Sequence, residues 1–164
     1  MRMLLCLFLA LLLLSVATVA LAAPKQTLVI LAGNVWDGLS DTPQGPAEIL
    51  VVNGKIAAVG KSVPRPADAK IVDLSTKFVM PGFIDAHIHL TGGSKVIANL
   101  ASLNDAALAL VGVSACEKVL NNGFTTVRDA GDFSIVAWVV GELKKAVDAG
   151  DIKGPRIING GHMI

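Results

Sequence analysis

The stretch Pro81-Gly82-Phe83-Ile84-Asp85-Ala86-His87-Ile88-His89-Leu90 decides how this chain is read. Phe83, Ile84, Ala86, Ile88 and Leu90 are apolar, the pattern of a short buried strand after a Pro-Gly turn. Residues two apart on a strand project from one face. His87 and His89 are therefore expected side by side, with Asp85 one step deeper on the same face. A buried strand rarely carries two histidines unless a ligand satisfies their nitrogens. The spacing makes His87 and His89 candidate ligands of one metal ion; the competing role is a pair of core histidines bonded to backbone carbonyls. Asp85 either accepts a hydrogen bond from a ligand histidine or bonds local backbone or a neighbouring strand.

Downstream, a polar loop (Thr91-Gly92-Gly93-Ser94) leads to a helix. Ser102 or Asn104 is its N-cap, and Leu103, Ala107, Leu110, Val111, Val113 and Leu120 are its apolar positions. Asn121-Asn122-Gly123 ends it. Residues 124–127 form a second strand running into Arg128-Asp129-Ala130-Gly131-Asp132, residues 134–149 a second helix stopped by Gly150, and residues 156–159 a third strand leading to Gly160-Gly161-His162. Strands alternating with helices imply parallel strands joined by crossovers. An open doubly wound sheet and the start of a (β/α)8 barrel both fit. The first strand-to-helix turn lacks G-x-G-x-x-G, which removes support from a dinucleotide-binding sheet. In a barrel, reactive residues gather at the C-terminal ends of strands. His87, His89, Asp129 and His162 all fall there, so the expected class is α/β: an incomplete TIM-type (β/α)8 barrel, its first three strands spanning residues 81–164.

Adjacent residues of a strand face opposite ways, so Arg128 and Asp129 separate, each in an ion-pair or loop-ordering role. The glycine pairs at 92–93 and 160–161 serve tight turns, Trp36 and Trp138 serve packing, and Cys116 is a small apolar filler on a helix.

Upstream, residues 26–80 read as a small all-β unit. Residues 48–52 and 55–59 flank Asn53-Gly54, a strong two-residue hairpin signal. Residues 70–74 and 77–80 look like two strands separated by Ser75-Thr76. Before this unit, Met1-Arg2-Met3, an uncharged apolar run over residues 4–19 and Ala20-Leu21-Ala22-Ala23 make the three parts of a secretory signal peptide. An uncleaved membrane anchor competes, but the small-residue exit favours cleavage after Ala22, giving a signal peptide at residues 1–22 and a β-segment at residues 23–80. Cleavage removes Cys6 and leaves Cys116 alone, so no internal disulfide forms. The expected location is the periplasm or the exterior, with no membrane partner after cleavage. Net charge is +1 with acids and bases interspersed, which excludes the basic stripe of a nucleic-acid binder.

Taken together, Val79-Met80 and the Pro81–His89 motif, preceded by an Asn53-Gly54-Lys55-Ile56 hairpin, resemble the amidohydrolase superfamily of metal-dependent hydrolases. The likeness continues through Asn122-Gly123-Phe124-Thr125-Thr126-Val127-Arg128-Asp129 and Gly154-Pro155-Arg156 to Gly160-Gly161-His162, similar to the prolidase-like and imidazolonepropionase-like branch. The resemblance implies a β-sandwich segment leading into a metal-bearing barrel. It further implies hydrolysis of C–N bonds in dipeptide-like or cyclic amide substrates by metal-activated water. His87 and His89 map onto the histidines that bind the more buried metal, zinc first among divalent ions, with one or two ions per site. His162 falls where a barrel would present it to a substrate carboxylate or oxyanion; the competing role is a plain loop histidine. The family's remaining ligands (a lysine, two further histidines) and its general-base aspartate belong to later strands, beyond Ile164, so no catalytic base is assigned. The expectation is an N-terminal piece of an enzyme, inactive alone and prone to self-association through its unpaired edge. Two alternatives stand beside it: a non-enzymatic metal- or partner-binding module, and a cyclic amidine deaminase when full length.

Overall fold

The computed structural model describes residues 26–92, 103–131 and 138–161. The expected signal peptide, the second half of the expected loop at residues 91–94, the N-cap candidate Ser102, the start of the expected second helix and His162 lie outside the described residues. The chain divides into two compact units between Met80 and Pro81.

The first unit holds strands β1 (Thr27–Val35), β2 (Ala47–Val52), β3 (Lys55–Gly60) and β4 (Lys70–Val79). They form one four-stranded sheet in the order β3-β2-β1-β4. Only β1 and β4 run parallel; β1–β2 and β2–β3 are antiparallel. Asn53 and Gly54 turn the β2–β3 hairpin with φ of 50° and 74°, the left-handed pair that a two-residue hairpin requires. Small apolar clusters line both faces: Ala32, Val35, Ala47 and Ile49 on one, Val29, Leu50 and Val63 on the other. The Val63 loop is held by Glu48, whose carboxylate accepts the Val63 N–H at 3.1 Å and pairs with Arg65.

Among the described residues the strands make one layer. One expectation changes here: residues 70–79 are one strand rather than two. The Ser75-Thr76 break is a bulge, because β4 advances from Leu74 to Phe78 while β1 advances only from Ala32 to Asn34. The Asp73 carboxylate accepts the Ser75 N–H at 2.9 Å and gives the irregular backbone a local partner.

The second unit runs β5 (Phe83–Ile88), α1 (Asp105–Asn121), β6 (Phe124–Asp129), α2 (Val139–Ala149), β7 (Arg156–Asn159). Its strands are parallel, as the strand–helix rhythm requires, and lie in the order β5-β6-β7. Asn104 caps α1 by accepting the Ala107 N–H at 2.9 Å. One core joins both helices to the sheet: Leu108 and Cys116 from α1, Val139, Val140 and Leu143 from α2, Val127 and Ile157 from the strands. Both helices therefore cover the same face, and the other face carries exposed Ile84 and Ile158.

Three corrections follow from that one-sided cover. β5 is not uniformly buried: Phe83 and Ile84 are exposed, because β5 is a sheet edge and Ile84 lies on the uncovered face. Leu110, expected on the packing side of α1, points to solvent, and Leu108 is buried instead. Trp138 is 54% exposed rather than a packing residue, whereas Trp36 is half-buried and donates its Nε1–H to the Ser40 carbonyl at 2.7 Å.

Cys116 is the filler expected, fully buried and without a disulfide. Burial, with a lesser contribution from the Asp129 charge, pushes its thiol up to about 11. At pH 8 only about one thiol in a thousand would be ionised. In a Cys6→Ser background, labelling by an aromatic disulfide reagent should be slow for the folded chain and fast in denaturant. Because folding disfavours the thiolate, stability should also fall as pH rises from 9.0 toward about 11.

Candidate functional site

The C-terminal end of β5 places its two histidines together. The His87 and His89 rings stand 5.4 Å apart, centroid to centroid, at 78°. His87 is exposed and His89 half-buried. Two imidazoles each holding one ion at about 2.0–2.1 Å, with a tetrahedral angle between them, would have centroids about 5 Å apart. The observed spacing is close to that value. Among the described residues, no group of three or more His, Cys, Asp or Glu side chains gathers as a metal site.

How the histidines reach one side differs from simple alternation. Asp85 pairs with Val127 and Ile88 with Asp129, so three steps of β5 oppose two of β6. Val127 and Asp129 are both buried under the helices, which puts Asp85 and Ile88 on the covered face. Asp85 and Ile88 accordingly line a cavity with Lys118, Val119 and Asn122 at the end of α1. His87 and His89 flank Ile88 and project from the opposite, open face. The expectation that Asp85 shares their face is therefore overturned, and the extra residue of the bulge is the reason. Asp85 instead accepts the His87 backbone N–H at 3.0 Å, the local-backbone role left open for it. Asp85→Ala should free that N–H, speed its hydrogen exchange and cost about 0.5–1.5 kcal/mol of stability, measured by urea unfolding.

The neighbouring strand end fixes His89. Its Nδ1 lies 3.0 Å from the Gly131 carbonyl, and the Ile88 carbonyl accepts the Ala130 N–H at 2.8 Å. Asp129 is fully buried and bonds two backbone N–H groups of these loops, the loop-ordering role expected of it. Arg128 takes the open face, with Nη1 3.4 Å from the Ala86 carbonyl. Sequence reasoning separated Arg128 from Asp129 but could not find Asp129's partner, since Leu90 lies 39 residues away.

The family comparison falls on this same region. The amidohydrolase family model matches residues 78–164. A dihydroorotase of Anaeromyxobacter sp. (strain K) is 41% identical over 66 residues, 40% of this chain and 15% of that protein. Among solved structures, a Xaa-Pro dipeptidase with methionine in its active site is 29% identical at a TM-score of 0.72, over 85% of this chain and 34% of that one. A prolidase complexed with N-methylphosphonate-L-proline is also 29% identical, at a TM-score of 0.71, over 83% and 32%. The chain thus spans about a third of the solved relatives it matches and a smaller share of the curated one. With the family match covering more than half of its residues and enclosing both histidines, this chain is a member of the amidohydrolase family.

Proposed function

We propose that this chain provides the opening strands of a metal-dependent (β/α)8 hydrolase barrel acting on C–N bonds, with dipeptide-like substrates ahead of cyclic amides. The observation that carries this reading is the His87–His89 pair, 5.4 Å apart on the open face at the C-terminal end of the first parallel strand. Reactive groups collect at that end in barrels. The dipeptide preference draws on the likeness to the Xaa-Pro dipeptidase and the prolidase.

A bound divalent ion, zinc first, would supply an activated water near neutral pH. His87 and His89 would hold that ion from one side. The Gly131 carbonyl orients the His89 ring, and the bulge at Asp85 orients the His87 backbone. His162, which follows β7, is assigned to the substrate's carboxylate or developing oxyanion. The general base and the remaining ligands belong to later strands of such a barrel, so these 164 residues alone should hydrolyse nothing measurable. Exposed Ile84 and Ile158 would be covered by those strands, and without them the chain should self-associate. Residues 1–22 serve as a cleaved export signal, which puts the enzyme in the periplasm or outside the cell.

The test is hydrolysis of a Xaa-Pro dipeptide by this chain continued through the remaining barrel strands. Activity should need zinc, vanish with chelator and vanish in His87→Ala. Turnover that survives both would overturn the proposal.

A further inference from the structure

We propose that Asp129, which lies on the covered side of the sheet and cannot itself be a ligand beside the rings, is a positioning residue that sets the tautomer of His89. The proposal rests on the metal-binding role assigned to His89.

The geometry is a relay through backbone. Asp129 Oδ2 accepts the Leu90 N–H at 2.7 Å, fixing the residue that follows His89. Asp129 Oδ1 accepts the Gly131 N–H at 3.0 Å, fixing the residue whose carbonyl lies 3.0 Å from His89 Nδ1. One carboxylate therefore holds both the chain that bears the ring and the acceptor that orients it. A carbonyl offers no proton, so Nδ1 must donate. A neutral imidazole with its proton on Nδ1 keeps its lone pair on Nε2, the nitrogen then presented for coordination.

The third strand locks the same junction. The Asp129 carbonyl accepts the Gly160 N–H at 2.9 Å. A Cβ at residue 160 would sit 2.6 Å from that carbonyl oxygen, so only glycine permits the approach. A buried carboxylate is costly unless hydrogen bonds offset it. Here two of the hydrogen bonds that offset it come from the Leu90 and Gly131 N–H groups.

The experiment uses the chain continued through the remaining barrel strands, labelled with nitrogen-15 at histidine, and compares it with Asp129→Asn, whose amide can accept on only one of its two arms. Long-range proton–nitrogen spectra above pH 7.5 without metal report the His89 tautomer, and a zinc titration reports affinity. The wild type should show Nδ1–H. A folded Asp129→Asn should show Nε2–H or a mixture, with zinc affinity down about 10–100-fold. If the tautomer moves as stated but neither chain binds zinc, the positioning role stands and the metal reading falls. If the folded variant keeps Nδ1–H and full zinc affinity, the positioning role is overturned while the metal reading survives. Should that variant not fold, Asp129→Glu takes its place: a displaced carboxylate should shift His89 toward Nε2–H. A folded Asp129→Glu that keeps Nδ1–H with full zinc affinity overturns the proposal, as does Nε2–H in the wild type.

Discussion

Alanine at His87 or at His89 is expected to weaken zinc binding by more than about 100-fold, since loss of an outer partner alone costs 10–100-fold and here a donor itself is removed. Among the described residues, the neighbouring side chains offer no substitute donor. Asp85, the nearest carboxylate in sequence, is turned to the covered face by the bulge, and Arg128 on the open face is a cation. The two variants should differ in stability. His89 is half-buried and bonded to the Gly131 carbonyl, so His89→Ala gives up a contact between strand ends. A single lost hydrogen bond is worth about 0.5–1.5 kcal/mol. His87 is exposed, and His87→Ala should leave the urea midpoint nearly unchanged. Competition with a chromophoric chelator gives the affinities, and equal affinity in wild type and both variants would contradict the assignment.

The largest effect on folding should come from Leu108→Ala. Leu108 is 2% exposed and belongs to the core with Cys116, Val127, Val140, Leu143 and Ile157. Truncating a buried leucine removes transfer energy and leaves a cavity, at a cost of about 2–5 kcal/mol. Small domains hold about 5–15 kcal/mol in total, so this change consumes much of the margin. Leu110, two positions along the same helix, is 73% exposed. Leu110→Ala should stay within about 0.5 kcal/mol. Urea unfolding midpoints separate the two, and comparable losses would mean that α1 packs by a different face.

That pair also shows where the sequence loses its grip. Residues 105–121 are apolar almost all round, so spacing alone could not say which stripe meets the sheet. The choice of Leu110 failed because tertiary packing selected Leu108. Local signals fared better. Asn53-Gly54 was legible because a two-residue hairpin needs left-handed backbone, and Asn104 and Gly123 because helix ends need partners for their unpaired groups. The strand–helix alternation was legible too, and it gave the parallel direction of β5, β6 and β7, while their order came only with the structure.

At the site, the His87–His89 neighbourhood was readable from a period of two, but the place of Asp85 was not. A bulge inserts one residue, and alternation cannot foresee it without the partner strand. Ser75-Thr76 misled in the same way, since a bulge and a strand break share polar, turn-forming residues. Asp129 drew notice as a strand-end residue with an ion-pair or loop-ordering role, but its partners stayed hidden, because its hold on Leu90 and its proximity to the His89 acceptor exist only once β5 and β6 pair.

The most direct test follows the ring nitrogens of His87 and His89 in the nitrogen-15-labelled chain as zinc is added. Both should move together, saturating at one ion per chain, with the larger change on Nε2 of His89. Rings that stay unchanged at saturating zinc, or a response confined to one of them, would contradict a shared metal site on this strand.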